Sequence, residues 1–128
     1  MARDLVRWVH TVLLPAAAEE PADRAEWQPS VDVYRTASGW LVKFDLAGVR
    51  PEDIELRVAG CRLNVRGSRR DWSVTEGCRS YHMEIAYSRF ERTVELPGPC
   101  GEVGRVTTEF RDGMLLVRVP SVEEAAQP

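Results

Sequence analysis

The stretch Val106-Thr107-Thr108-Glu109-Phe110-Arg111-Asp112-Gly113-Met114-Leu115-Leu116-Val117-Arg118-Val119-Pro120 decides the reading of this chain. Asp112-Gly113 is a two-residue turn signal, because the turn that matches strand twist needs positive φ and glycine adopts it at little cost. Before the turn, Val106, Thr108 and Phe110 alternate with Thr107, Glu109 and Arg111. After it, Leu115, Val117 and Val119 alternate with Leu116 and Arg118. Period-two alternation on both sides of Asp-Gly predicts a β-hairpin with one buried face. Pro120 lacks the N–H a ladder needs and ends the second strand. Leu116 is the exception, an apolar residue on the face that should meet water.

The same alternation runs upstream. Val31, Val33 and Tyr34 form a first strand, stopped by Ala37-Ser38-Gly39. Trp40, Val42, Phe44 and Leu46 share one face of the next. Pro51-Glu52-Asp53 suits one helical turn, since proline fits a first helical position and acids favour a helix N-terminus. Ile54, Leu56 and Val58 alternate with Glu55 and Arg57, and Ala59-Gly60-Cys61 turns the chain into Leu63 and Val65. Residues 67 to 80 are polar, with isolated Trp72 and Val74, and form a connection long enough to be functional or mobile. Tyr81, Met83, Ile85 and Tyr87 alternate again, followed by Phe90, Arg92, Val94 and Leu96, before Pro97-Gly98-Pro99 breaks the pattern. Seven or eight short strands without a long internal helix predict an all-β, antiparallel, immunoglobulin-like sandwich.

The N-terminus differs. Leu5, Val6, Trp8, Val9, Val12 and Leu13 fall at helical spacing, with Arg7, His10 and Thr11 off the stripe. A helix over residues 4 to 14 is too short to be stable alone in water and needs a surface to dock on. Residues 15 to 30 hold Pro15, Pro21 and Pro29 among Ala, Glu, Asp and Arg, a linker composition. The expected organisation is an N-terminal arm with an amphipathic helix over 1–26, a sandwich over 27–120 and a short disordered tail over 121–128.

At 128 residues the chain suits one domain that needs no metal or disulfide staple. Net charge is −3 with acids and bases interspersed, so no basic stripe offers itself to nucleic acid. The positive charge is almost all arginine; Lys43 is the only lysine. Three cysteines, Cys61, Cys78 and Cys100, without a Cys-x-x-Cys, argue against a disulfide framework and for a reducing, cytoplasmic compartment. Cys61 reads as a small buried hydrophobe. No apolar run is long enough for a membrane span, and Asp4 and His10 interrupt what would otherwise resemble a signal peptide.

The residues offer little chemistry. His10 and His82 lie in different parts of the chain, and Cys78 with His82 falls short of the four ligands of a structural zinc site. No spacing pairs two carboxylates for acid–base work, and no nucleophile elbow or phosphate-cradling glycine loop is present. No cofactor, metal or catalytic residue is expected. What stands out is apolar surface beyond the needs of one core: the arm stripe, Leu41, Leu116 and the edge-type strand Ile54-Leu56-Val58. Such patches mark interaction sites, and sandwich edges present unpaired main-chain groups that proteins must cover or use.

The order of motifs resembles the small heat-shock protein family, built on the alpha-crystallin domain. The residues that carry the resemblance are Val31-Asp32-Val33-Tyr34, Phe44-Asp45-Leu46-Ala47-Gly48-Val49 with Glu52-Asp53-Ile54, and Leu63-Asn64-Val65-Arg66-Gly67. Tyr81-His82, Phe90-Glu91-Arg92, Leu96-Pro97 and Asp112-Gly113-Met114-Leu115 follow in register. The resemblance implies an ATP-independent holdase that binds partly unfolded clients through apolar surface, here Leu5, Trp8, Val9, Val12 and Leu116. It implies a homodimer in which the segment around Trp72 and Val74 pairs with the partner subunit's sheet, and in which Arg92 holds carboxylates at the interface. It also implies a groove for neighbouring tails, lined by Ile54, Leu56 and Val58 on one side and by Val106 and Thr108 on the other. The family usually carries an Ile-x-Ile-like tail motif, whereas Ser121-Val122-Glu123-Glu124-Ala125-Ala126-Gln127-Pro128 offers only Val122. Dimers, small oligomers or mixed assemblies with a longer-tailed relative are therefore expected. The competing reading is a CS-domain-like co-chaperone or adaptor that binds a folded partner.

Overall fold

The computed structural model describes residues 9–15, 26–72, 77–101 and 105–121. Two four-stranded sheets face each other. One has the order β1 (His10–Leu13), β4 (Ile54–Ala59), β5 (Arg62–Ser68), β6 (Arg89–Glu95). The other has the order β2 (Val31–Arg35), β3 (Gly39–Asp45), β8 (Met114–Pro120), β7 (Thr107–Arg111). The alternation read from the sequence is the alternation across each sheet. Val42, Phe44, Leu115, Val117 and Val119 from one sheet meet Ile54, Leu56, Val58, Leu63, Val65 and Phe90 from the other, all buried.

The Asp112-Gly113 hairpin forms as expected, with Phe110 opposite Leu115 and Thr108 opposite Val117. Both turn residues have positive φ, 53° and 80°, the backbone that matches strand twist in a two-residue connection. The turn also packs tightly: a Cβ on Gly113 would lie 2.9 Å from Ala47 Cα. Pro51–Asp53 forms the single expected turn, a 3-10 turn that leads into β4. Gly67 lies where β5 crosses Asp53 and Phe90, so close that any side chain would collide with the Asp53 carbonyl and the Phe90 ring.

Four expectations are corrected. First, the described part of the arm is extended: His10–Leu13 is β1, paired in parallel with β4, so the sheets are antiparallel except at that edge. The β-branched Val9, Thr11 and Val12 suit a strand as readily as a helix, and the open β4 edge supplies main-chain partners that an isolated helix lacks. Second, β4 is accordingly flanked on both sides, by β1 and β5, and is not an edge strand. Third, Tyr81, Met83, Ile85 and Tyr87 alternate but form no strand; they lie in the connection between β5 and β6 and are exposed. Alternation gives a strand only where a neighbour supplies a ladder.

Fourth, Cys61 and Cys100 are joined by a disulfide, with Cα atoms 5.5 Å apart. Spacing alone hides this pairing, but the ladder explains it. Arg62 opposite Glu95 puts the β4–β5 turn beside the end of β6, where the Leu96 N–H donates to the Cys61 carbonyl at 2.9 Å. The chain then passes over the turn with Cys100 within reach, and Cys100 bridges in turn to Ser121 beyond β8. The disulfide thus ties the two sheets together at one end.

Candidate interaction surfaces

The first surface is the β4 edge. Ile54, Leu56 and Val58 are each at most 1 % exposed, and their side chains face the core. Across the sandwich, Val106 and Thr108 are half-buried, and Val106 packs against the core cluster. β1 lies along the outer side of β4 with His10 opposite Glu55 and Leu13 opposite Val58, and the Leu14 N–H donates to the Val58 carbonyl at 2.7 Å. Val9 is 8 % exposed and belongs to the core cluster, while Val12 is half-buried and Leu13 is exposed. Of the arm residues expected to touch clients, Val9 and Val12 therefore lie against the sandwich. Leu5 and Trp8 lie outside the described residues.

Two further stretches expose apolar groups, β2 and the connection after β5. Among the described residues β2 pairs with β3 on one side only, and its Val33 and Tyr34 are exposed. Val33 has core parity but lies beyond the reach of the opposite sheet, so it is an apolar side chain without a cover. In the connection, Trp72, Met83 and Ile85 are more than half exposed and Tyr81 is fully exposed. The connection is anchored at its base. The Arg69 guanidinium stacks 3.8 Å from the Trp27 ring and donates to the Ala86 and Ala47 carbonyls at 2.9 and 3.1 Å. Trp72 folds back, with its indole N–H 3.3 Å from the Gly48 carbonyl and the Arg50 guanidinium 4.8 Å over its ring. Val74 lies outside the described residues. Arg92 is half-buried on β6 and donates to the Pro29 carbonyl at 3.0 Å, which ties β6 to the chain that enters β2.

The third surface is the outer face of the β2-β3-β8-β7 sheet. Leu116 lies there, half-buried, between Lys43 and Glu109 on the neighbouring strands. The face carries Leu41 and Met114 besides its charged groups. Glu109 is paired with Arg111 on its own strand and with Arg118 at 3.6 Å. The hydrogen bond from Arg111, with lesser attraction from both arginines, holds the Glu109 carboxyl below its ordinary range, and the same bond raises the Arg111 guanidinium. Leu116 thus shares this face with Leu41, Met114 and the charged groups, apart from the other candidate client residues.

Two features escaped the sequence. One is the Cys61–Cys100 bond. The other is a buried polar network on the outer face of the first sheet. There the Asn64 amide, 1 % exposed, donates to Glu91 and Thr93 at 2.9 Å and accepts from Arg66 Nε at 3.1 Å, and Arg66 also pairs with Glu91 at 3.0 Å. Both the nitrogen and the oxygen of the Asn64 amide have partners, which is what burial demands. The only signal for it was Asn64 lying between Leu63 and Val65. His82 lies 2.7 Å from the Glu84 carboxylate, an exposed contact.

Comparison with known proteins agrees with this architecture. Residues 32–128 match the model of the Hsp20/alpha crystallin family. The 21.9 kDa heat shock protein of Oryza sativa subsp. japonica is 32% identical over 124 residues, 87% of this chain and 57% of that protein. Small heat shock protein C2 of Rickettsia felis is 28% identical over 75% of this chain and 62% of its own length. The chain thus spans about 60% of the length of such relatives. Among solved structures, heat shock protein 16.0 from Schizosaccharomyces pombe superposes with a TM-score of 0.70 at 25% identity, covering 80% of this chain and 94% of that one. The hspA of Xanthomonas axonopodis superposes with a TM-score of 0.65 at 32% identity, covering 77% and 97%.

Proposed function

Because this chain belongs to the Hsp20/alpha crystallin family, whose members are ATP-independent chaperones and not enzymes, we propose that it is a holdase that captures partly unfolded proteins and keeps them from aggregating. The observation that carries this reading is the exposure of large apolar side chains on β2 (Val33, Tyr34) and on the connection after β5 (Trp72, Tyr81, Met83, Ile85, Tyr87). A holdase needs apolar surface that a partner can cover and uncover, and no bond needs to be made or broken.

The working unit we propose is a homodimer. The open side of β2 offers unpaired main-chain groups, and the connection around Trp72 and Val74 is the segment of a second copy that pairs with them. Arg92 lies near that seam. In the dimer its second nitrogen is available to a partner's carboxylate beside the Pro29 carbonyl it already holds. Clients are assigned to Leu5, Trp8, Val9, Val12 and Leu116, and a neighbour's tail to the groove between β4 and β7. Larger assemblies, pure or mixed with a relative, build on this dimer.

No helix among the described residues is long and apolar enough to cross a membrane. The compartment we propose is the cytoplasm, where reducing systems oppose the Cys61–Cys100 bond and oxidising stress favours it.

The test is light scattering from a heat-labile client, warmed with and without this protein in the absence of nucleotide. Suppression at near-stoichiometric ratios is expected. Unchanged scattering from a chain shown to be folded overturns the holdase reading.

A further inference from the structure

Two of the three cysteines are held where they can react with each other. Cys61 lies in the turn between β4 and β5, and Cys100 in the connection between β6 and β7. Contacts that involve neither sulfur place them. On one side the Leu96 N–H donates to the Cys61 carbonyl at 2.9 Å. On the other, Cys100 bridges to Ser121 and the Gly101 N–H donates to the Pro120 carbonyl at 2.7 Å. The resulting Cα separation, 5.5 Å, falls inside the roughly 4.4–6.8 Å that a disulfide spans. When the bond is opened, the two thiols stay neighbours and can close again without a search. Both residues are half-buried, so a small reagent can reach them. Gly98 has no side chain to shield the Cys61 sulfur, and a Cβ there would stand 3.5 Å from Sγ.

The bond also sits at a junction. The Ser121 N–H donates to the Ser38 carbonyl at 3.0 Å. The β4–β5 turn, the connection, the end of β8 and the β2–β3 turn thus form one relay of contacts, with a single covalent link inside it. With the link closed, the connection cannot part from β8 without drawing the β4–β5 turn along. With the link open, the same contacts remain but the connection can part alone. That is a smaller opening and hence a more frequent one. Cys100, which packs against the core, leaves with it.

We propose that Cys61 and Cys100 are a reversible redox site whose oxidant is a peroxide, and that its state sets how often the connection between β6 and β7 opens. One thiolate attacks a peroxide oxygen. The O–O bond breaks, hydroxide leaves and takes up a proton, and the sulfur becomes a sulfenic acid. The second thiolate attacks that sulfur, the S–O bond breaks and a second water leaves. Two thiols and one hydrogen peroxide give one disulfide and two waters, the sulfurs losing the two electrons that the peroxide gains. A dithiol reverses the step through a mixed disulfide, leaving two cysteine thiols and the oxidised dithiol. Neither direction involves a client, so this site stands or falls separately from the holdase reading.

The experiment starts from the full chain, reduced with a dithiol, freed of it under nitrogen and given a small excess of hydrogen peroxide. Remaining thiols are blocked with a maleimide, and the products are read by intact and peptide mass. Cys61 and Cys100 should lose their thiols together and appear as one linked pair with no oxygen gained. In Cys100→Ser, Cys61 has no neighbour to capture its sulfenic acid and should gain oxygen instead. A dithiol added without denaturant should restore both thiols. Amide exchange is then followed by NMR in both states. At Gly101 and Ser121, whose N–H groups cross the junction, it should be at least tenfold faster after reduction. Their rates should not respond to urea well below the unfolding midpoint, the mark of a local opening, whereas Leu63 and Val117 in the core follow global unfolding. The proposal is overturned if peroxide leaves Cys61 and Cys100 as thiols or carries them to sulfinic acid, or if the bond yields to the dithiol only in denaturant. It is equally overturned if Gly101 and Ser121 exchange alike in both states or follow urea in step with Leu63 and Val117. Loss of core protection on reduction alone would show that the bond holds the whole fold and would overturn it too.

Discussion

Reduction of the Cys61–Cys100 bond offers the sharpest quantitative check on the fold. The two cysteines are separated by 39 residues in sequence. Closing a loop of that size removes about 13 cal/mol/K of entropy from the unfolded chain, which is about 4 kcal/mol near room temperature in the chain-entropy account. For a chain of this length each kcal/mol moves the midpoint of thermal unfolding by about 3–5 °C, so reduction should lower it by roughly 10–20 °C. The native contacts around the bond, from the Leu96–Cys61 hydrogen bond to the Cys100–Ser121 bridge, do not need the sulfur link and should persist. The assay is urea unfolding at one fixed protein concentration, with and without a dithiol, beside a count of maleimide-reactive thiols by mass. The oxidised chain should present one thiol, that of Cys78, and the reduced chain three. Cys61→Ser with Cys100→Ser should reproduce the reduced curve and make it indifferent to the dithiol. Three reactive thiols in the untreated native protein would refute the bond. One thiol with a stability loss under about 1 kcal/mol would refute the argument that the link acts by restricting the unfolded chain.

Leu115→Ala removes a fully buried side chain opposite Phe44 and Phe110 and should cost about 2–5 kcal/mol in urea unfolding; an unchanged midpoint would contradict the face assignment. Deletion of residues 69–79 should convert dimers to monomers in analytical ultracentrifugation, and persistence of the dimer would exclude the exchanged-strand arrangement. The depressed Glu109 carboxyl binds its proton less readily in the folded than in the unfolded chain. Its contribution is present above the ordinary carboxylate range and is lost as pH falls through the lower folded-state value. Glu109→Gln should therefore lose a little stability at neutral pH and show a shallower decline on acidification. Equal slopes for both chains would show that the Arg111 contact does not persist in solution.

The hairpin and the core faces were legible because they depend on local rules. Asp112-Gly113 dictates its turn, and the parity of Phe44, Leu56, Leu63 and Leu115 dictates which side is buried whatever the partner. The interaction surfaces were legible only in part. Leu116 could be marked as an apolar residue on the outer face, whereas the side chains of Ile54, Leu56 and Val58 face the core and the β4 edge is taken by β1. The alternation of Tyr81, Met83, Ile85 and Tyr87, however, looked the same as that of a paired strand. A one-dimensional pattern records what a segment could bury; whether a neighbour is present to bury it is a different matter.

By itself the sequence determined the sandwich and the turn positions, since periodicity and glycine backbone freedom act over a few residues. The tertiary structure alone decided that His10–Leu13 is a strand on β4, that Cys61 meets Cys100, and that Asn64 lies buried in a charged network. Each of these depends on which distant segments become neighbours. That follows from the register of two sheets and from the need of every open edge and every buried polar group to find a partner.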